Sequence, residues 1–309
     1  MASQKKVALV VGASRGIGRQ VAVDLANEGY RVVISAKSTS DASKLHPFPP
    51  DPTSAESTIN TVEREIREAG GEATAIAADT RDFASVQRMV DRTVEVYGQL
   101  DVVIYNSGAI WWASVENTPM KRFQLMQKVN VEGFYGTVQA ALPHFKNNGW
   151  KGRIIVISPP IYSRFFKGKT AYAMGKVAMS VLAKGLAMDF EREGKDGMAI
   201  SAMWVATAIQ SAATANMGVD DRHDLRKPTI LSDAVLAMLN APPREVNGCL
   251  EVDEDFLRKT GVTDFSKYSL VDGTNPRRIM PAQFPDLTVA EQNDEGRRVD
   301  STKLRGSRM

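Results

Sequence analysis

The sequence predicts an α/β protein, a doubly wound parallel sheet of about seven strands with helices on both faces. Three observations carry this. Apolar, β-rich runs recur along the chain without polar alternation, as strands buried on both faces require. Segments of helical length and periodicity separate them. The first apolar run ends in a glycine-rich stretch, VGASRGIG, where a strand can turn directly into a helix.

In chain order, KKVALVVGA (Lys5 to Ala13) reads as the first buried strand, followed by a helix from Gly16 to about Glu28. Tyr30 to Lys37, Glu72 to Thr80, Leu100 to Gly108, Gly152 to Pro159 and Met198 to Ala206 continue the series, with a short last strand around Cys249 to Glu254. ASVQRMVDRTVEVYG and the long TPMKRFQLMQKVNVEGFYGTVQAALPHF read as helices. Ser38 to Ser57, rich in Pro, Ser and Asp, reads as a long loop. The segment after about Asp286 is polar and close to disordered in composition. The expected organisation is one domain over 1–285 with a polar tail over 286–309.

Composition narrows the function. The chain has 309 residues, 43% hydrophobic and 24% charged, which suits a globular enzyme with a substantial core. A formal charge of +3 with scattered Lys and Arg gives nucleic-acid binding little support. The single cysteine, Cys249, forms no internal disulfide and suits a reducing compartment. His46, His144 and His223 lack metal-ligand spacing, so no metal site is expected. There is no run of about 18 apolar residues to span a membrane. The MASQKKVALVV start runs straight into the first strand pattern, leaving no room for a signal peptide.

The glycine-rich turn brings Gly12, Ser14, Arg15, Gly16, Ile17 and Gly18 to the start of the first helix. Glycines let backbone N–H groups approach a pyrophosphate, whose charge the helix N-terminus favours. Alone the motif is equally a plain glycine-rich connection, but strand before and helix after are the context a dinucleotide site needs. An NAD site usually carries an acid at the end of the second strand. Here that position reads ISAKSTS, with Lys37 and Ser38 and no carboxylate before Asp41. Arg15 adds a second cation, so the pair suits the 2′-phosphate of NADP; the plainer reading of Lys37 is a solvated strand end.

Further along, Tyr172 and Lys176 stand four residues apart, one above the other on a helix face. Ser158 ends a strand fourteen residues before Tyr172. Strand ends on one edge of a doubly wound sheet face the ligand crevice, so these groups can converge there.

This ordered set resembles the short-chain dehydrogenase/reductase family: Gly12-x-x-x-Gly16-x-Gly18, Asp79, Asn106-Ser107-Gly108, Asn130, Ser158 and Tyr172-x-x-x-Lys176. Within it, ISAKSTS, NTPMKRFQLMQKVNVEG, ISPP and WVATAIQSAA look like the hydroxysteroid dehydrogenase-like protein 2 group. The resemblance implies a Rossmann-type fold and an oxidoreductase using NADP(H) on a hydrophobic hydroxyl or carbonyl compound. It implies Asn130, Ser158, Tyr172 and Lys176 as the catalytic set. Tyr172 would exchange the proton, with Lys176 and the positive nicotinamide of the oxidised cofactor lowering its pKa from an ordinary value of about 10. Ser158 would hydrogen-bond the substrate oxygen, Lys176 would hold the nicotinamide ribose, and Asn130 would support a water relay. Cofactor contacts are implied for the glycine turn, Lys37, Ser38, Asp79, Thr80, Asn106, Ser107, Gly108, Tyr172, Lys176 and Thr207.

Two departures stand out. Ser107 replaces the family's usual Ala, and Val205 its Pro after the sixth strand, which leaves Thr207 the weakest of the implied contacts. Tyr162, Phe165, Phe166, Trp111, Trp112 and Trp204 are candidates for the wall of a large apolar pocket; each alone is as readily a core or interface aromatic. Small and apolar residues on the long helices (Gly133, Gly136, Ala178, Ala183 and Ala187) together with the family's habit suggest a homodimer or homotetramer. Two alternatives stay open: a ketoreductase of secondary metabolism, and a cofactor-binding protein without turnover.

The sequence ends Ser307-Arg308-Met309, in the small–cation–apolar pattern of a Ser-Lys-Leu peroxisomal signal. Peroxisomal members of the resembling group support import through a receptor, with the cytoplasm as the fallback.

Overall fold

The computed structural model describes residues 5–216 and 221–287. Seven strands form one parallel sheet: β1 (Val7–Val11), β2 (Arg31–Ala36), β3 (Glu72–Ala77), β4 (Val102–Tyr105), β5 (Gly152–Ile157), β6 (Met198–Trp204) and β7 (Leu250–Val252), in the order β3-β2-β1-β4-β5-β6-β7. Order reverses between β1 and β4, where Val11 lies beside Tyr105. The crevice above such a reversal, at the carboxyl ends of the strands, is where this architecture holds ligands.

Alternation along β1 builds two cores. Ala8 and Val10 face a layer made by α1 (Gly16–Asn27), α2 (Ile59–Glu68) and, later in the chain, α8 (Thr229–Asn240), with Leu25, Ile66 and Val235 packed there. Leu9 and Val11 face α3 (Phe83–Tyr97), α5 (Gly133–Asn147) and α6 (Thr170–Arg192), against Met89, Phe134 and Met179. The strands read as continuous apolar runs because both faces are covered.

The long helix over 118–145 resolves into three pieces. α4 (Met120–Met126) passes without a break into a π-helical turn, Gln127–Glu132, and then into α5. Such turns insert a residue into the helical ladder and recur at functional sites; this one carries the fully buried Asn130. The remaining helices are α7 (Ala212–Asn216), α9 (Pro243–Val246) and α10 (Asp253–Lys259).

The loop over 38–57 holds one short 3₁₀ turn, Ala42–Lys44, and then folds back over the glycine-rich turn. Gly16 N–H donates to the Pro52 carbonyl at 2.7 Å and the Ser57 hydroxyl to the Ser14 carbonyl at 2.7 Å. α2 follows through a capping box between Thr58 and Thr61, which fixes where the loop ends.

Beyond β7 the chain returns to the sheet edge. Ile279 and Met280 N–H groups both donate to the Ala206 carbonyl, and Arg278 grips Asp255 through two 2.6 Å bonds. Residues 278–280 thus lie across the carboxyl end of β6. The tripeptide Ser307-Arg308-Met309 lies outside the described residues.

Candidate active site

Side chains at the carboxyl edge enclose a cavity of about 950 Å³ that runs from Lys37 and Asp79 past the glycine turn to Tyr162 and Met280. Gly12, Ser14, Arg15, Gly16, Ile17, Thr80, Asn106, Ser107, Gly108, Tyr172 and Lys176 also line it.

The glycine turn packs closely against the loop after β4 because its glycines carry no side chains. Gly12 has φ +85°, and a Cβ there would stand 2.5 Å from the Ser107 backbone nitrogen. Asn106 holds the turn by donating from Nδ2 to the Gly12 carbonyl at 2.8 Å. Gly18 does not line the cavity; it sits beneath the turn, where a Cβ would meet the Gly12 carbonyl and the Asn106 amide. It therefore serves the close helix–strand packing such a site depends on, rather than touching a ligand.

At one end charge gathers. Arg81 chelates the Asp79 carboxylate, with Nε to Oδ1 at 2.9 Å and Nη2 to Oδ2 at 2.5 Å, and Lys37 approaches it to 3.6 Å. The hydrogen bonds from Arg81 hold Asp79 well below the usual carboxylate range. Arg15 reaches the Ser38 hydroxyl at 3.3 Å. Ser38 itself stands outside the lining, tethered to Arg15, whereas Arg81, which no sequence motif pointed to, lies within it. Three cations and one engaged carboxylate make this end positive.

At the centre, α6 presents Tyr172 and Lys176, which are 4% exposed each. The Lys176 ammonium donates to the Ile157 carbonyl at 2.8 Å and lies 5.3 Å from the Trp204 ring centroid. Burial lowers its pKa to about 7. The same burial raises Tyr172 above the ordinary phenol range. A buried phenol that keeps its proton is the form that reduction of a carbonyl requires.

Asn130 and Ser158 are each held by backbone groups of neighbouring segments. Asn130 is engaged on both sides by one residue: Oδ1 accepts from Ala109 N–H at 2.8 Å and Nδ2 donates to the Ala109 carbonyl at 3.1 Å. Its side chain braces the loop after β4 from behind the cavity. Gly108 lies against both groups, since a Cβ there would be 3.5 Å from the Lys176 ammonium and 3.6 Å from Asn130 Oδ1.

Ser158 is fully buried and absent from the lining. Its hydroxyl donates to the Lys176 carbonyl at 2.7 Å and contacts the Ser180 hydroxyl, which in turn donates to the Pro159 carbonyl at 2.7 Å. The expected substrate-facing hydroxyl is therefore turned into the seam between β5 and α6. The next residue, Pro159, has no donor to replace it.

Toward the far end the wall becomes apolar. Trp112, Tyr162, Phe165 and Trp204 line it, while Trp111 stacks under Arg122 and Phe166 lies outside the lining. Val205 faces the cavity. Thr207 does not: it is 1% exposed, and its backbone bridges to Arg278. Its neighbours Ala208 and Ile209 contribute instead. The loop is fixed from below by Asp253, whose Oδ1 accepts from Ala206 N–H at 2.8 Å. Met280 and Ile279, from the returning carboxy-terminal segment, complete the wall.

The small residues expected at an oligomer face pack internally. Gly133 lies against Tyr105, Gly136 against Phe83, and Ala183 and Ala187 belong to the core, with Ala178 half-buried. The exposed apolar side chains of these helices are Tyr135, Met174, Val181 and Met188.

With this geometry in view, comparisons with known proteins agree. The adh_short_C2 family model, described as Enoyl-(Acyl carrier protein) reductase, matches residues 12–231. The chain belongs to the short-chain dehydrogenase/reductase family, whose members are oxidoreductases that bind a nicotinamide cofactor. It is 33% identical to hydroxysteroid dehydrogenase-like protein 2 of Mus musculus over 96% of its length, and 36% identical to that of Danio rerio over 90%. It spans 58 and 63% of the lengths of these two relatives. The solved structure of a short chain dehydrogenase from Mycobacterium thermoresistibile is similar with a TM-score of 0.77 and 34% identity, covering 95% of this chain and 99% of that one. Among the described residues no helix is long and apolar enough to cross a membrane.

Proposed function

We propose that this chain is an NADP-dependent oxidoreductase that interconverts a carbonyl and a hydroxyl on a hydrophobic, lipid-, steroid- or polyketide-like substrate. The observation that carries the reading is the convergence of Tyr172 and Lys176 on a cavity that continues from the glycine turn into an aromatic wall. Bound nicotinamide would supply or accept the hydride. The protein supplies the rest. Tyr172 delivers its proton to the carbonyl oxygen, and Lys176, one helical turn on, stands on the same face of α6. Asn130 and Asn106 hold the two backbone loops that would bear the cofactor. Ser158 acts through Lys176, by fixing the helix turn that carries it.

The positive end supports NADP over NAD. A 2′-phosphate entering beside Arg15, Lys37 and Arg81 meets three cations, whereas an NAD ribose would find the nearby Asp79 already engaged. The exposed Tyr135, Met174, Val181 and Met188 support a homodimer or homotetramer built on α5 and α6. Ser307-Arg308-Met309 supports recognition by a peroxisomal import receptor, with the cytoplasm as the fallback location.

The direct test is reduction of a panel of apolar ketones by the purified chain with NADPH and with NADH. Turnover with NADPH on the apolar members supports the reading; no hydride transfer from either cofactor to any of them contradicts it.

A further inference from the structure

At the apolar end of the cavity, Lys169 has no charged partner among the described residues. Lys169, at the start of α6 and three residues before Tyr172, lines the wall. Its ammonium lies 4.5 Å from the centroid of Trp112 and 4.5 Å from that of Phe165. Those two rings each stand 6.2 Å from the ring of Tyr172. Lys169 and the reacting tyrosine therefore both contact the same pair of aromatics.

Other cations around this space are committed. Arg277 is paired with Asp224 at 2.7 Å, and Lys176 donates to a backbone carbonyl. The Lys169 ammonium has neither a carboxylate nor a hydrogen-bond acceptor among the described residues. Cation–π contact holds the half-buried ammonium in place but gives its N–H donors no acceptor among the described residues. Burial lowers its pKa, a cost that a bound anion would offset. The positive end of the α6 dipole begins at the same residue.

We infer that Lys169 recognises a carboxylate on the substrate, so that the class of compound taken is an apolar oxo acid or hydroxy acid. The single ammonium matches a single negative charge. A phosphate ester, carrying close to two, would leave charge uncompensated in an otherwise apolar wall. The aromatic faces accept the hydrocarbon body, and Lys169 sets how far the acid group lies from the carbonyl that meets Tyr172. Lys169 is then a specificity residue. The inference rests on the reading of Tyr172 as the reacting end of the cavity.

Calorimetric titration of the whole chain in saturating NADP⁺ tests this, with a mid-chain oxo derivative of decanoic acid and its methyl ester as probes. The acid is expected to bind at least about tenfold more tightly than the ester, the effect of one charge-assisted contact. Lys169→Met and Lys169→Gln should abolish that preference, and Lys169→Arg should retain it. Equal binding of acid and ester by the unaltered chain, binding of neither, or a preference that survives both neutral variants would overturn the inference. Hydride transfer from NADPH to the oxo acid is read separately. Its absence beside an intact acid preference would count against the reductase reading and leave the recognition standing.

Discussion

The Ser158 hydroxyl donates to the backbone carbonyl of Lys176 at 2.7 Å, while the Lys176 ammonium donates to the carbonyl of Ile157, the residue before Ser158, at 2.8 Å. Strand end and helix thus clasp each other through reciprocal side chain-to-backbone bonds. The lysine is aimed by the seam, and the serine is part of the seam.

This changes what removing the serine should do. Ser158→Ala is expected to lower stability by about 1 kcal/mol, the scale of one buried hydrogen bond, while kcat stays within about threefold. Thermal unfolding and steady-state kinetics on the same preparation check it. A loss of about 100-fold or more in kcat at unchanged stability would mean that the hydroxyl meets substrate after all.

Cofactor choice should follow the cations at the ribose end. Lys37→Asp would set a second carboxylate beside Asp79, at the position Lys37 now approaches to 3.6 Å. NADPH affinity should fall by about 1–3 kcal/mol with NADH affinity little changed. Fluorescence titration of both cofactors decides, and equal affinities in the unaltered chain would refute the NADP reading.

A pH signature should arise beneath the substrate wall. Burial raises the Asp253 carboxyl from 3.8 to about 7, with Glu254 and Arg226 as its charged neighbours. The folded state then holds a proton that the unfolded chain releases from about pH 4 upward. This group's contribution is fully present below the unfolded value and is lost as pH rises through about 7. Asp253→Asn keeps the acceptor for Ala206 but cannot ionise. Its stability relative to the unaltered chain should therefore improve as pH rises from about 4 to 7. Denaturant unfolding at both ends of that range gives the comparison; a constant difference would contradict the assignment.

Import is tested in cells. A fluorescent protein fused ahead of residue 1, leaving Met309 free, should collect in peroxisomes, and deletion of Ser307-Arg308-Met309 should disperse it. Diffuse fluorescence from the intact fusion would favour the cytoplasm.

Much of this was legible in the sequence because it depends on local order. Continuous apolar runs gave the strands to within a few residues, since burial on both faces suppresses alternation. The glycine turn was readable because only glycine tolerates φ +85° with a neighbour 2.5 Å from its absent Cβ. Tyr172 and Lys176 were readable because helical spacing alone puts them on one face.

Other features depend on contacts between distant segments. Whether Ser158 turns inward or outward is decided by Ser180 and the Lys176 carbonyl across the seam, which no strand pattern encodes. The withdrawal of Thr207 follows from its bridge to Arg278, seventy-one residues on. Arg81 enters the cavity because a turn after β3 brings it onto Asp79, and Lys169 gains meaning only from the rings of Trp112 and Phe165. The π-helical turn over Gln127–Glu132 left no trace in a periodicity that continues helical on both sides.

The central claim is that Tyr172 is the proton donor of a hydride-transfer reaction. Tyr172→Phe preserves the buried ring and its packing against Trp112 and Phe165 but removes the exchangeable proton. Single-turnover oxidation of NADPH with an apolar ketone, followed alongside cofactor titration, measures both functions in one preparation. The expected rate is at least about 100-fold below that of the unaltered chain, with NADPH affinity retained. Undiminished ketone reduction by the phenylalanine variant would contradict it.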